Sequence, residues 1–284
     1  MQISVIIPTY KRQKYLAQLL GDLSRQTFKD FEVVVVDQGN STPALPAGRR
    51  RGVEWINLDK PSIVKAKNLG ISRAKGGIIL VLDDDLRLPK DLVEKHVGAH
   101  KKRGVVAVAG PALEKDVFII KRGGKTFGEF SLLGELNTDY RRVENPTLVT
   151  AVPGGNLSFK KSHWRAIGGY DEKFAGNCIN EDSDFCLRLT RQFGKILFDP
   201  ALAVTHLRAE GGSRAFGSAQ SAKWYEDMFY NHLHFYLKHW PKTLLPLFFM
   251  YRMRQVYTCV ARYGKFKLNY ARAPLKGYQR ALKL

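Results

Sequence analysis

The sequence predicts an α/β protein built on an open, mainly parallel, doubly wound sheet. Three observations carry that prediction. Residues 3–7 and 33–36 are unbroken apolar, largely β-branched runs of strand length, the composition of strands buried on both faces. Between them Tyr15, Leu16, Leu19, Leu20 and Leu23 recur at helical spacing, so residues 11–26 read as a crossover helix, which between parallel strands is right-handed. The same alternation of strand and helix then repeats down the chain, which is the grammar of a sheet covered by helices on both sides.

Taken in order, residues 53–58 form the third strand, 63–74 a helix and 78–82 the fourth strand. Residues 89–102 follow as a helix opened by Pro89, tolerated there because the first turn has no partner for its N–H, and 105–109 as another strand. From Gly110 to Thr150 the pattern weakens, with Gly123, Gly124, Gly128 and Gly134 punctuating short runs that suit hairpins or a flap. Regularity returns at 151–159, then as a short helix over 162–167, a longer one over 182–193 and a strand over 195–198. The core domain is expected to span residues 1–212.

Residues 213–284 differ in character. Thirteen lysines and arginines face only Glu226 and Asp227 there, a large share of the formal charge of +20 carried by all 284 residues. Such charge favours phosphate-bearing partners: nucleic acid, an anionic membrane surface or a nucleotide. Tyr225, Phe229, Leu233, Leu237 and Trp240 recur near every fourth position, Pro241 stops that helix, and 244–263 can form a second. This helical extension either docks on an anionic membrane or packs its stripe against the core.

No transmembrane segment is expected. The first apolar run ends at Pro8 without the pattern of a signal peptide, and the longest, 244–250, falls far below the roughly 20 residues of a spanning helix. Cys178, Cys186 and Cys259 are odd in number and lack C-x-x-C spacing, which excludes a disulfide scaffold or zinc ribbon and suits a reducing, cytoplasmic setting.

The residues that follow strands carry the chemistry, because open sheets bind ligands beyond their strands' carboxyl ends. The first strand runs into Pro8-Thr9-Tyr10, the second into Asp37-Gln38-Gly39-Asn40 and the fourth into Asp83-Asp84-Asp85. Three adjacent carboxylates repel one another, a cost that a divalent cation and a polyphosphate ligand relieve, and alternate members Asp83 and Asp85 can point the same way. Farther on, Asn180-Glu181-Asp182-Ser183-Asp184 opens an amphipathic helix. Acidic residues there are commonly dipole complements, yet such a carboxylate can also accept a proton from an attacking hydroxyl. Gly154-Gly155-Asn156 offers a turn where backbone can approach a ligand closely. His206 alone reads as a structural histidine; together with the aspartates it suits Mn²⁺ or Mg²⁺ better than zinc.

In combination and order these motifs resemble the family 2 glycosyltransferases of the GT-A fold, over roughly residues 2–212. Pro8, Thr9, Tyr10 and Arg12 are similar to the family's nucleotide loop, and Asp37 matches the aspartate that pairs with the base. Ala66-Lys67-Asn68-x-Gly70 resembles its A-R-N-x-G segment, with lysine replacing the usual arginine and losing the bidentate fork. Asp83-Asp84-Asp85 matches the DxD element, and Glu181-Asp182 the acidic pair whose aspartate is the catalytic base of inverting members. The resemblance implies nucleotide contacts from Pro8, Thr9, Tyr10, Arg12, Asp37, Lys67, Asn68, Asp83 and Asp84, and a Mn²⁺ or Mg²⁺ site on Asp83, Asp85 and His206. It further implies acceptor contacts from Gly155, Asn156 and Glu181, and Asp182 as base. A nucleoside diphosphate sugar, UDP-linked by preference, would be the donor, and a glycan or lipid-linked hydroxyl the acceptor. The alternative is a basic nucleic-acid-binding protein, which the charge suits but which has no use for an acidic triplet. A dinucleotide-binding dehydrogenase is excluded, since the turn after the first strand lacks G-x-G-x-x-G.

Overall fold

A computed structural model describes residues 1–39, 52–102, 104–114, 126–140, 143–209, 221–262 and 268–284. The apolar runs become β1 (Ile3–Thr9), β2 (Phe31–Asp37), β3 (Val53–Asn57) and β4 (Ile78–Leu82), all parallel. Helices α1 (Gln13–Ser24), α2 (Ile63–Arg73) and α3 (Leu92–His100) connect or follow them. Farther along come β5 (Leu86–Arg87), β6 (Ala107–Ala109), β7 (Ala112–Glu114), β8 (Thr147–Val149) and β9 (Asn156–Lys160). Next are α4 (Lys161–Ala166), α5 (Glu181–Phe193), β10 (Ile196–Phe198) and β11 (Val204–His206).

The main sheet has the order β3-β2-β1-β4-β9-β6-β10-β8, with only β9 and β8 opposed to the rest. Alternate residues of the parallel strands feed two separate cores, as the period of two requires. Ile6, Val34 and Val36 pack with Val64 of α2 and Phe185 of α5, while Val5, Ile7, Val33 and Val35 pack with Leu16 of α1 and Val93 of α3 on the other face. Both faces are therefore covered, as expected for a doubly wound sheet.

The structure departs from the sequence reading in three places. Of the expected 151–159 element only residues 156–159 are strand, in β9, which continues to Lys160 and runs antiparallel between β4 and β6. Within 110–150, β7 and β8 join the two sheets and Phe130 bridges Leu136, while Gly123 and Gly124 lie outside the described residues. In the extension, α6 (Ala222–His239) and α7 (Leu245–Arg262) are joined by an unexpected α8 (Leu268–Leu282), despite Pro274 in its interior.

Helix α6 packs on the protein. Tyr225, Phe229 and Leu233 are buried, and Phe235 enters the core shared with α5. Polar ties reinforce that contact: Lys238 reaches Asp171 at 2.7 Å and Asp184 at 2.8 Å, and His239 reaches Asp184 at 2.7 Å. The stripe that could have faced a membrane is thus filled by protein, and the expected domain limit near Gly212 lies outside the described residues. Among the described residues no helix is long and apolar enough to cross a membrane.

Candidate active site

A second sheet, in the order β5-β11-β7, assembles one side of the site. Its register places His206 opposite Leu86 on one neighbour and opposite Glu114 on the other. Because Leu86 directly follows the Asp83-Asp84-Asp85 turn, this pairing carries His206 to the carboxylates. Ligand atoms of Asp83, Asp85 and His206 all lie within 4.8 Å of one another. His206 Nε2 is 3.2 Å from Asp85 Oδ1, and Nδ1 is 2.8 Å from Glu114 Oε1.

Asp84 and Asp85 sit in different surroundings. Asp84 is held by the end of β1 and the residue before α1, accepting from Thr9 Oγ1 at 2.7 Å and from Arg12 Nη1 at 3.0 Å, a donor that Asp85 shares at 3.2 Å. Burial is the dominant influence on it and pushes its pKa up to about 6 in spite of Arg12 and Thr9. Burial acts on Asp85 as well, but His206, Arg12 and the Ala209 amide outweigh it and hold that carboxyl below the usual range. For His206, burial opposes protonation, yet the carboxylates of Asp85, Glu114 and Asp83 raise its pKa to about 9. Two carboxylates and an imidazole converging in this way, with Asp85 Oδ1 buried and lacking a well-formed hydrogen bond, fit a hard to intermediate divalent cation.

The opposite wall is the amino end of α5. Asn180, at φ 75°, turns the chain into the helix, and Glu181 and Asp182 occupy its first turn. Lys67 of α2, 1% exposed, lies beneath them with Nζ 2.5 Å from Asp182 Oδ1 and 3.3 Å from Glu181 Oε1, and 4.8 Å from the centre of the Tyr170 ring. Two glycines close the gap between the walls. Any side chain at Gly154 would overlap the Asp182 carboxylate, and one at Gly155, where φ is 93°, would overlap that of Asp83. The turn thus approaches the acidic side chains themselves. Asp83, Glu114, Glu181, Asp182 and His206 line a cavity of about 600 Å³, whose wall also includes Glu135, Tyr140 and His232.

Several residues expected at the ligand face are otherwise engaged. Arg12 spends its guanidinium on Asp84, Asp85 and the Ala209 carbonyl, so it neutralises the acidic turn from behind. Asn68 is tied to Tyr170, Glu172 and Trp164 and lines a separate surface depression rather than this cavity. Asn156 is buried, its amide bonded to His96 and to the Leu202 carbonyl. In each case the cause is the same: a buried polar group takes the nearest partner, which sequence spacing does not name. Pro8 and Thr9 end β1, with Tyr10 just beyond, and Thr9 is in register with Asp37 of β2, whose Oδ1 accepts from the Gly39 amide. Glu114, Glu135 and His232 were not anticipated. The first two lie where periodicity fails, and His232 sits on α6, so the extension contributes to the cavity wall.

A sheet that brings clustered carboxylates at one strand end to face a helix-borne carboxylate across a cavity defines an α/β group-transfer site. The family model described as "Glycosyl transferase family 2" matches residues 4–166, and that described as "N-terminal domain of galactosyltransferase" matches 141–208. An uncharacterized glycosyltransferase of Bacillus subtilis (strain 168), YwdF, is 39% identical over 224 residues, covering 75% of this chain and 76% of its own length. The chain spans a third or less of several other curated relatives. Among solved structures, S. aureus TarS 1–349 in complex with UDP-GlcNAc aligns at TM-score 0.60 and 16% identity, over 99% of this chain and 92% of that one. The mannosyltransferase PcManGT from Pyrobaculum calidifontis, in complex with GDP-Man and Mn²⁺, aligns at TM-score 0.59 and 15% identity, over 99% and 87%. The chain belongs to glycosyl transferase family 2: it is a glycosyltransferase with the GT-A fold.

Proposed function

We propose that the protein is an inverting transferase that moves a sugar from a nucleoside diphosphate donor, UDP-linked by preference, to a hydroxyl of a glycan or lipid-linked acceptor. The observation that carries this reading is the pairing, across one cavity, of the Asp83, Asp85 and His206 cluster with Asp182 on α5. Asp182 accepts the proton of the acceptor hydroxyl as its oxygen forms a bond to the anomeric carbon. The bond from that carbon to the donor's diphosphate oxygen breaks, and its electron pair leaves with the nucleoside diphosphate. Lys67 orients Asp182, and Glu114 orients His206 through Nδ1. Asp83, Asp85 and His206 would hold Mn²⁺ or Mg²⁺, which supplies charge neutralisation to the departing diphosphate. The ends of β1 and β2, with Asp37, lie on the nucleoside side, and the cavity bounded by Glu135, Tyr140 and His232 receives the acceptor.

Residues 1–212 act as the catalytic domain and 213–284 as an extension that completes its wall. The buried free thiols Cys178 and Cys186 suit a cytoplasmic location. Nucleic acid is not a partner in this reading, because the site invests in buried acidic groups. UDP or a UDP-sugar with Mn²⁺ is expected to raise the melting temperature, by mass action on the folded state, while an oligonucleotide does not. A shift from the oligonucleotide alone would overturn the proposal.

A further inference from the structure

With α6 packed against the core, most of the exposed large apolar side chains described in the extension lie on α7. Leu247, Met250, Tyr251, Met253 and Tyr257 are exposed there, Met250 to 72% and Tyr257 to 74%. Their spacings of three and four residues place them on one face, with exposed Arg254 among them. The opposite face is ordinary protein interior: Phe248 is fully buried, packing with Tyr236, and Arg252 is buried in an ion pair with Glu135 at 2.5 Å. Glu135 itself lines the cavity beside Gly134 and Leu136. One helix therefore braces the acceptor side of the site from within while presenting large apolar side chains outward.

We propose that the outward face of α7 docks the enzyme on an anionic lipid bilayer, so that the cavity opens towards an acceptor held in that membrane. The identity of the acceptor rests on the transferase reading above; the docking itself does not. Charge selects the occupant. A second copy of a chain of formal charge +20 is repelled, whereas an anionic surface is attracted by that net positive charge and by the basic excess of 213–284, with exposed Arg254 on the face itself. The composition of the face also fits an interface, where apolar side chains enter the acyl boundary and tyrosine and arginine remain at headgroup depth.

The test is cosedimentation of the full-length chain with phosphatidylcholine vesicles with and without phosphatidylglycerol. Binding is expected only with the anionic lipid, falling at least about tenfold between roughly 0.05 M and 0.5 M salt as screening grows. Met250→Glu/Met253→Glu is expected to abolish it, and Leu148→Glu, equally exposed on β8 at the far edge of the sheet, to leave it intact. Should the double variant not fold, Arg254→Glu provides the same comparison with weaker binding expected. Hydrolysis of a UDP-sugar in solution is measured alongside and is expected to be unchanged by Met250→Glu/Met253→Glu, so that loss of docking and loss of transferase chemistry register separately. The proposal is overturned by absence of binding at low salt, by equal binding to the zwitterionic vesicles, by binding unchanged in Met250→Glu/Met253→Glu or, should that variant not fold, in Arg254→Glu, or by a wild-type dimer that the double variant dissociates.

Discussion

Replacing Lys67 with methionine tests how the wall that carries Asp182 is held. Lys67 and Glu181 are each 1% exposed, Asp182 is 7% exposed, and one ammonium serves both carboxylates at 3.3 and 2.5 Å. Methionine fills most of the volume but removes the ammonium from two largely buried carboxylates. Breaking a buried pair by removing one partner costs about 3–5 kcal/mol, and the loss of one cation shared by two carboxylates places this case near the upper figure. With a urea slope of about 3 kcal/mol per molar, a loss of about 5 kcal/mol moves the unfolding midpoint down by about 1.7 M. The double variant Lys67→Met/Glu181→Gln should recover about half of that shift, because only one of the two carboxylates then carries a charge beside the lost ammonium. Urea titration followed by circular dichroism measures both. A midpoint within about 0.3 M of wild type for Lys67→Met would refute the reasoning, since it would mean that the carboxylates do not depend on this lysine.

Gly154→Ala should lower donor hydrolysis about 100-fold or more while the protein still folds, because the added methyl displaces the Asp182 carboxylate from its position; steady-state kinetics checks it. Asp85→Ala should weaken Mn²⁺-dependent UDP binding at least about tenfold in calorimetry, and His206→Ala by less, since the aspartate contributes a full charge and the histidine does not. Burial holds His96 near a pKa of about 3 and His100 near about 4, both well below the ordinary 6.5 or so of the unfolded chain. Between those limits the unfolded state binds the protons that the fold refuses, so stability falls as pH drops from about 6.5 towards 4, by about 1.4 kcal/mol per pH unit for each histidine. Denaturation midpoints measured from pH 7 to 5 should show that slope, and His96→Gln/His100→Gln should flatten it.

What could be read from the sequence follows from how each feature is encoded. Continuous apolar runs such as 33–36 and the leucine spacing of α1 state their own burial, so β1 to β4 and their helices are plain from residue order alone. Strands β5, β7 and β11 have two or three residues each, too few for a period, and they exist through pairing with one another. That pairing brings Glu114 to His206, so the second tie of the imidazole has no signature in the sequence. The acidic turn is visible as three letters, but which aspartate turns inward depends on Thr9 and Arg12 meeting Asp84 from another strand end. For Asn68 and Asn156 the residue type is evident and its direction is not, because partners from distant segments decide it. Helix α8 is masked by Pro274, which argues locally against a helix that packing against α6 sustains.

The central claim is that Asp182 takes the proton of the oxygen that attacks a nucleoside diphosphate sugar, whose diphosphate is met by a metal site on Asp83, Asp85 and His206. Its most direct test is hydrolysis of a panel of nucleotide sugars with Mn²⁺, comparing wild type with Asp182→Asn, together with calorimetric affinity for the same donor. The account predicts that the wild type releases nucleoside diphosphate from at least one donor, and that the variant loses about 100-fold or more of that rate while binding the donor nearly as well, because the amide keeps the shape but loses the charge and basicity of the carboxylate, away from the donor's metal site. Equal turnover by the two proteins, or no hydrolysis of any donor by the wild type, would contradict it.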